Sequence, residues 1–183
     1  MKIKDHFLSQ ETFEIRETPV KGVFKTHPIP ENLSSYYESE NYISHHQDSG
    51  SLKEKLYKFL QRFNLNYKRN IIAKELYRNA SVLDYGCGAG EFLKFIEEDF
   101  TTFGFEPSEA ARNFAQKKLL KTKLLNEIDS IENGSLDAIT LWHVFEHIED
   151  QENILKKFHD KLKDHGLLII AVPNPSSYDA KKY

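Results

Sequence analysis

Two acidic side chains, three alternating glycines and a pair of histidines are the residues whose types and spacing could do chemistry. Asp84 stands two residues ahead of Gly86-Cys87-Gly88-Ala89-Gly90, where glycine falls at every second position. Glycine tolerates positive φ and carries no Cβ, so such a run lets the backbone turn sharply and lie against a ligand. Glu106 follows Asp84 by 22 residues, close to the ~20 expected for a ribose-binding carboxylate. The dinucleotide fingerprint G-x-G-x-x-G needs a glycine at position 91, which is Glu91. A carboxylate at 84 would also repel a pyrophosphate, which argues against a nicotinamide-dependent oxidoreductase. Two acids around an open glycine turn suit a nucleoside with an amino-acid tail better. Farther on, His143 and His147 flank Glu146. Histidine titrates near neutral pH and could take a proton from a substrate hydroxyl.

The elements that must position these residues alternate between strand and helix. The apolar run from Ser81 predicts a buried strand over 81–85, and the glycine turn leads into a helix over 89–98 with Phe92, Phe95 and Ile96 at helical spacing. A second strand is expected over 101–105, ending at Glu106. A helix over 108–118 follows, capped by Ser108, with Ala111, Phe114 and Ala115 inward. A third strand is expected near 122–125 and a fourth at 136–141. Asp150 caps a helix over 151–164 with Ile154, Leu155, Phe158 and Leu162 inward, and Gly166 suits its end. Leu167–Val172 is apolar throughout and reads as a fifth strand buried on both faces. Such alternation implies an α/β fold with a doubly wound parallel sheet and right-handed crossovers. Its ligand would sit at the carboxyl ends of the strands, against the glycine turn.

VLDYGCGAGEFL followed by GFEPS, and later LDAITLWHVFEHIED and HGLLIIAVPNPSS, occur in this order. Together they resemble the motif set of class I S-adenosylmethionine-dependent methyltransferases, most nearly the branch containing the ubiquinone-biosynthesis O-methyltransferases. The resemblance covers roughly Ser81 to Ser177. It implies a Rossmann-like sheet of strand order 3-2-1-4-5 and a methyl transfer from S-adenosylmethionine to a small-molecule acceptor, with S-adenosylhomocysteine as product. It implies that Asp84, Tyr85, Gly86, Cys87 and Gly88 meet the amino-acid part, and that Glu106 accepts from the ribose. Pro107 and Ser108 would flank the adenosine, Asn126 and Glu127 lie where an adenine contact is expected, and Leu141, Trp142 and His143 line the methionine end. His143 is the candidate proton acceptor, and His147 reads better as structural. His143-x-x-Glu146-His147 also matches an inverted zinc-peptidase signature, but it starts at a strand end within the ordered motif set. In the resembled branch, acids and a histidine at this place can bind a divalent metal. Glu146 and His147 match that in part, and no metal ligand is assigned. The resembled fold continues with a sixth and seventh strand; this chain is expected to lack them, leaving its fifth strand to be covered by the N-terminal hairpin or by a second copy in a homodimer. A non-catalytic module that keeps the fold is the competing reading.

The 183 residues divide, on this reading, into an N-terminal extension over 1–50 and a core over 51–183 that is cut short at its C-terminus. The 25 basic and 28 acidic residues give no excess that calls for nucleic acid. A single cysteine excludes an internal disulfide and a thiolate zinc site. No apolar run approaches the ~20 residues of a membrane span, and MKIKDHFLSQ lacks a signal-peptide core, so a cytoplasmic setting is expected. Phe13–Arg16 and Val20–Lys25 suggest a hairpin turning at Pro19 and Gly22. The tyrosine-rich stretch 36–46 is similar to a segment of the resembled branch that can fold over the cofactor, and otherwise packs on the surface. Ser51-Leu52-Lys53-Glu54 reads as a capping box for a helix carrying Leu52, Leu56, Phe59, Leu60 and Phe63 on one stripe. A second helix is expected over 67–77 with Ile71, Ile72 and Leu76 inward.

Overall fold

A computed structural model describes residues 2–6, 9–29 and 52–178, with side chains described from 55 onward in the last segment. The tyrosine-rich stretch 36–46 and the Ser51 capping box lie outside the described residues. The chain divides into two compact units, Met1–His46 with Asn174–Tyr183, and Gln47–Pro173.

The first unit holds a three-stranded antiparallel sheet in the order β1 (Lys2–Lys4), β2 (Thr12–Glu17), β3 (Phe24–His27). β2 and β3 pair from Glu14 against His27 to Glu17 against Phe24. The turn between them is closed by Thr18 N–H donating to the Val23 carbonyl and by Gly22 at φ 80. β1 was not foreseen; at three residues it is too short to show a period.

The second unit carries α1 (Leu52–Ala73), β4 (Ser81–Tyr85), α2 (Glu91–Ile96), β5 (Thr101–Phe105), α3 (Glu109–Lys118), β6 (Lys123–Leu125), β7 (Leu136–Trp142), α4 (Gln151–Lys161) and β8 (Leu162–Ala171). Its sheet is parallel in the order β6-β5-β4-β7-β8. Numbered from β4, this is the expected 3-2-1-4-5. One sheet face packs Leu83, Ile139 and Leu141 against Ile154 and Phe158 of α4. The other packs Val82 and Ala138 against Ile72 of α1 and Phe92 and Ile96 of α2. Because side chains alternate along a strand, Asp84, Thr140 and Trp142 share the second face. Among the described residues no helix is long and apolar enough to cross a membrane.

Several expectations are corrected. The two helices foreseen over 51–77 are one: nothing between Phe63 and Tyr67 is Gly or Pro to break it, and the Asn66 side-chain amide donates to the Arg62 carbonyl at 3.0 Å along the helix surface. Its first half does not pack inward; Leu56, Phe59, Leu60 and Phe63 are 56–69% exposed, and burial begins near Ile72. Phe114 and Leu155 are likewise exposed. α4 ends at Lys161 rather than 164. His165, not Gly166, takes the positive φ of 64, and it lies in an irregular stretch of β8 whose regular pairing with β7 starts at Leu167. β8 is also not buried on both faces: Leu167 and Ile169 pack toward the Ile72 cluster, whereas Leu168, Ile170 and Val172 are exposed, because an outer strand has fewer neighbours to cover it.

Candidate functional site

Parallel register aligns β4, β5 and β7 so that their carboxyl ends lie side by side, with Asp84 opposite Gly104 on one flank and Thr140 on the other. Asp84 is 3% exposed and accepts from Thr140 Oγ1 at 2.7 Å. Burial pushes its carboxyl up to about 6, against the Thr140 hydrogen bond and the positive charge of Lys68, and the nearby Glu106 adds to the rise. A buried carboxylate with one hydroxyl donor and, among the described residues, no ion-paired cation is a group prepared to receive one.

The glycine turn is built around the end of β5. The Phe105 carbonyl accepts from both Gly86 N–H (2.7 Å) and Cys87 N–H (3.0 Å). Glu106 accepts from Gly88 N–H at 2.8 Å on Oε2 and from Ser108 N–H at 2.9 Å on Oε1. Arg112 donates to the Glu106 carbonyl at 2.8 Å, and Ser108 caps α3 by accepting from Ala111 N–H. The turn therefore hangs from the acid it was expected to work with. Gly86 (φ 79) is held by crowding: a Cβ there would lie 2.4 Å from Val144 Cγ2. Gly88 (φ 55) is different, since a Cβ would meet nothing within 4 Å. Its backbone faces open space, as a cradle for a ligand requires.

Not every predicted site residue presents its side chain to this space. Tyr85 stacks on Phe105 at 4.6 Å and meets Phe158 edge-on, with its hydroxyl pushed up by burial. Cys87 is buried with Leu93, Ala115 and Leu119, and burial raises its thiol. Leu141 lies wholly in the core on the α4 face. These three can offer only backbone to a ligand. Pro107, Asn126 and Glu127 are exposed at the ends of β5 and β6, while neighbouring Ile128 is in the core.

Beyond β7, His143 takes φ 60, an uncommon conformation for a side-chain-bearing residue. Its N–H donates to the Ala171 carbonyl at 2.9 Å, which fixes the loop, and its ring is largely exposed with Nδ1 3.6 Å from Glu146 Oε1. The other oxygen of Glu146, Oε2, is buried without a hydrogen-bond partner among the described residues, as is Trp142 Nε1. An unpartnered buried polar atom costs about 1–3 kcal/mol, and such atoms mark places where a ligand or water completes the structure. His147 is exposed, with its N–H bonded to the Val144 carbonyl. Among the described residues no three His, Cys, Asp or Glu side chains gather as a metal site would need.

Sequence reasoning missed three contributors. Thr140 was signalled only as the one polar residue in the buried run Ala138–Leu141. Val144 carried no signal. Lys68 was signalled by lying on the apolar face of α1, three residues after Leu65 and four before Ile72. Its Nζ sits 4.8 Å over the Trp142 ring and 5.9 Å from the Phe92 ring centre, an attraction that a cation makes with an aromatic face.

Residues 47–183 match a family described as a methyltransferase domain. An uncharacterized methyltransferase of Oceanobacillus iheyensis is 31% identical over 120 residues, 61% of this chain and 56% of that one. The ubiquinone biosynthesis O-methyltransferase of Bradyrhizobium diazoefficiens is 29% identical over 117 residues, 59% of this chain and 46% of that one. Among solved structures, a SAM-dependent methyltransferase from Archaeoglobus fulgidus superposes with a TM-score of 0.55 at 25% identity, over 67% of this chain and 57% of that one. The chain spans about half the length of the curated relatives it matches.

Proposed function

The chain belongs to the class I S-adenosylmethionine-dependent methyltransferases, and from that premise we propose that the carboxyl ends of β4, β5 and β7 form the reaction site of an enzyme that methylates a small-molecule nucleophile, an oxygen of a hydroxyl compound. The observation that carries the reading is the open backbone of Gly88 between two buried acids, Asp84 and Glu106. The residues present fit the cofactor: a buried acid lacking a paired cation, a cradle without a Cβ, and an indole N–H without an acceptor. Bound there, S-adenosylmethionine supplies a methyl group already activated on a sulfonium and leaves as S-adenosylhomocysteine.

The chain's own residues then have mainly to hold and orient, and good positioning is worth ~7–11 kcal/mol of a barrier. Asp84 holds the ammonium. Oε2 of Glu106 uses one acceptor site on the turn and Oε1 one at the start of α3, and each keeps another for a ribose hydroxyl. Gly86 and Gly88 admit the amino-acid part to the backbone of Tyr85 and Cys87. Pro107 and Ser108 flank the adenosine, and Asn126 and Glu127 offer polar groups to the adenine. Trp142, with the Leu141 backbone, walls the methionine end and keeps water out. His143 Nε2 takes the acceptor's proton while Nδ1 faces Glu146. The similarity to a ubiquinone biosynthesis O-methyltransferase supports oxygen as the acceptor atom.

Thermal unfolding with S-adenosylmethionine, S-adenosylhomocysteine, NAD or no ligand tests this. Ligand at ~100 times its dissociation constant adds about 2.7 kcal/mol to the folded state, a rise of roughly 5–10 °C in Tm for a chain of this size. A rise with both sulfur ligands and not with NAD is expected. No rise with either, or an equal one with NAD, overturns the reading.

A further inference from the structure

We propose that Lys68 of α1 recognises the carboxylate at the amino-acid end of S-adenosylmethionine, opposite the ammonium held by Asp84. The proposal rests on the cofactor reading above and adds a residue that the motifs do not contain.

Lys68 is the unusual lysine of this fold. Lys94, Lys157 and Lys163 each meet a carboxylate at 2.6–2.8 Å, those of Glu97, Asp129 and Asp137. Lys68 is half-buried, and its only close partners among the described residues are the faces of Trp142 and Phe92. An aromatic face attracts a cation but accepts none of its three N–H bonds in the way a carboxylate oxygen does. Burial accordingly lowers the ammonium's pKa, and Asp84 acts to raise it. Asp84 is thus close enough to be felt, yet the two are not ion-paired. Among the described residues Lys68 has donors without an acceptor, and Asp84 has acceptor capacity without a paired cation.

An α-amino acid presents an ammonium and a carboxylate from a single carbon. A buried acid beside an unpaired ammonium is complementary to that pair of charges. Trp142 adds a second unpartnered donor, its buried N–H, on the same sheet face as Asp84 and Thr140. A more highly charged anion such as phosphate would meet Asp84 and Glu106 unfavourably. A carboxylate that arrives with its own ammonium would not.

The test is calorimetric binding of S-adenosylmethionine and of decarboxylated S-adenosylmethionine, which keeps the sulfonium and the ammonium, to the wild type, Lys68→Met and Lys68→Arg. The wild type is expected to prefer the carboxylated ligand by about 10- to 100-fold, the worth of a charge-assisted hydrogen bond. Lys68→Met should abolish the preference and Lys68→Arg should retain most of it, with circular dichroism confirming that both variants are folded. Equal binding of the two ligands by the wild type, or a preference that survives Lys68→Met, overturns the assignment while leaving the cofactor reading intact. An effect of Lys68→Met confined to the acceptor's KM would place the recognised carboxylate on the acceptor and overturn it equally. Binding of neither ligand by the wild type would sink the cofactor reading, and this assignment with it.

Discussion

The Gly88 N–H donates to Glu106 Oε2 at 2.8 Å, so the glycine turn that follows β4 is tied to the acid that ends β5. With Ser108 on the other oxygen, Glu106 joins the turn to the start of α3 before any ligand arrives. Glu106→Gln keeps one acceptor but sets an NH2 group against one of the two N–H donors. We expect a stability loss of about 1–3 kcal/mol and at least tenfold weaker S-adenosylmethionine binding. Urea unfolding and calorimetry on the same variant would check both, and a loss of affinity with unchanged stability would show that the tie carries no weight in the free protein.

Gly86 and Gly88 should separate packing from binding. Both have positive φ, but only Gly86 faces a wall, since a methyl added there would sit 2.4 Å from Val144 Cγ2. Gly86→Ala should cost stability by about 1–3 kcal/mol through overpacking, and Val144→Ala in the same chain should restore part of it. Gly88→Ala should cost only the ~1 kcal/mol of its backbone conformation while weakening cofactor binding more than tenfold. Tm and Kd for the three variants would decide it; equal Tm losses for the two single variants would contradict the distinction.

His143 is expected to matter to turnover alone. Its side chain is largely exposed and faces Glu146, so His143→Ala should leave cofactor affinity within about twofold. Loss of a general base typically lowers kcat by about 10²–10⁴. Single-turnover methyl transfer to a hydroxyl acceptor is the measurement. A single-turnover rate within about twofold of wild type would remove His143 from the chemistry.

Glu97 predicts where acid stability resides. Burial pushes its carboxyl up, but hydrogen bonds from Lys94 Nζ and the N–H groups of Lys121 and Leu120 outweigh this and hold it at about 2. A carboxyl lowered in the folded state stabilises it fully above the ordinary value of 4.5, and that contribution is lost as pH falls through about 2. Allowing for screening at the partly exposed Lys94, the contribution is about 2 kcal/mol. Glu97→Gln should therefore be less stable than wild type at pH 7, with the difference narrowing toward pH 2 in urea titrations. A constant difference across that range would assign the loss to shape and not to charge.

The parts of this fold that were readable in the sequence are those where one residue type has one physical use. Glycine at 86 and 88 gives the turn, Ser108 and Asp150 give the helix starts, and the alternation of strands and helices gives the parallel sheet, whose order came only through the family resemblance. What was not readable depends on partners distant in sequence. The apolar stripe at Leu56, Phe59, Leu60 and Phe63 has the period of a buried face yet is exposed, because periodicity reports amphipathicity and not what covers it. Leu141 and Tyr85 lie within the motifs but point into the core, since a motif names positions while the strand's alternation decides which side chains reach the ligand, and Cys87 in the turn is buried against Leu93, Ala115 and Leu119. Lys68 and Thr140 were overlooked because their meaning comes only from Trp142 and Asp84, which the fold brings beside them.

Asp84 gives the sharpest pH dependence. Its carboxyl is raised from 3.8 to about 6 by burial, so the folded protein holds this proton more tightly than the unfolded chain. The resulting stabilisation is complete below 3.8 and is lost as pH rises through about 6. In the free protein above that value the ionised form weakens the fold by about 3 kcal/mol. Asp84→Asn, which keeps an oxygen to accept from Thr140, should accordingly be more stable than wild type at pH 7, with the gap closing toward pH 4. Cofactor binding should run the other way. An ammonium needs the ionised acid, so wild-type affinity should fall about tenfold for each pH unit below 6, with a proton released on binding. The Asn variant should bind more weakly and without this slope. Calorimetry from pH 5 to 8 in buffers of differing ionisation enthalpy measures both affinity and proton release. A wild-type affinity that is flat across pH 6, with no proton released, would mean that Asp84 does not hold the ammonium.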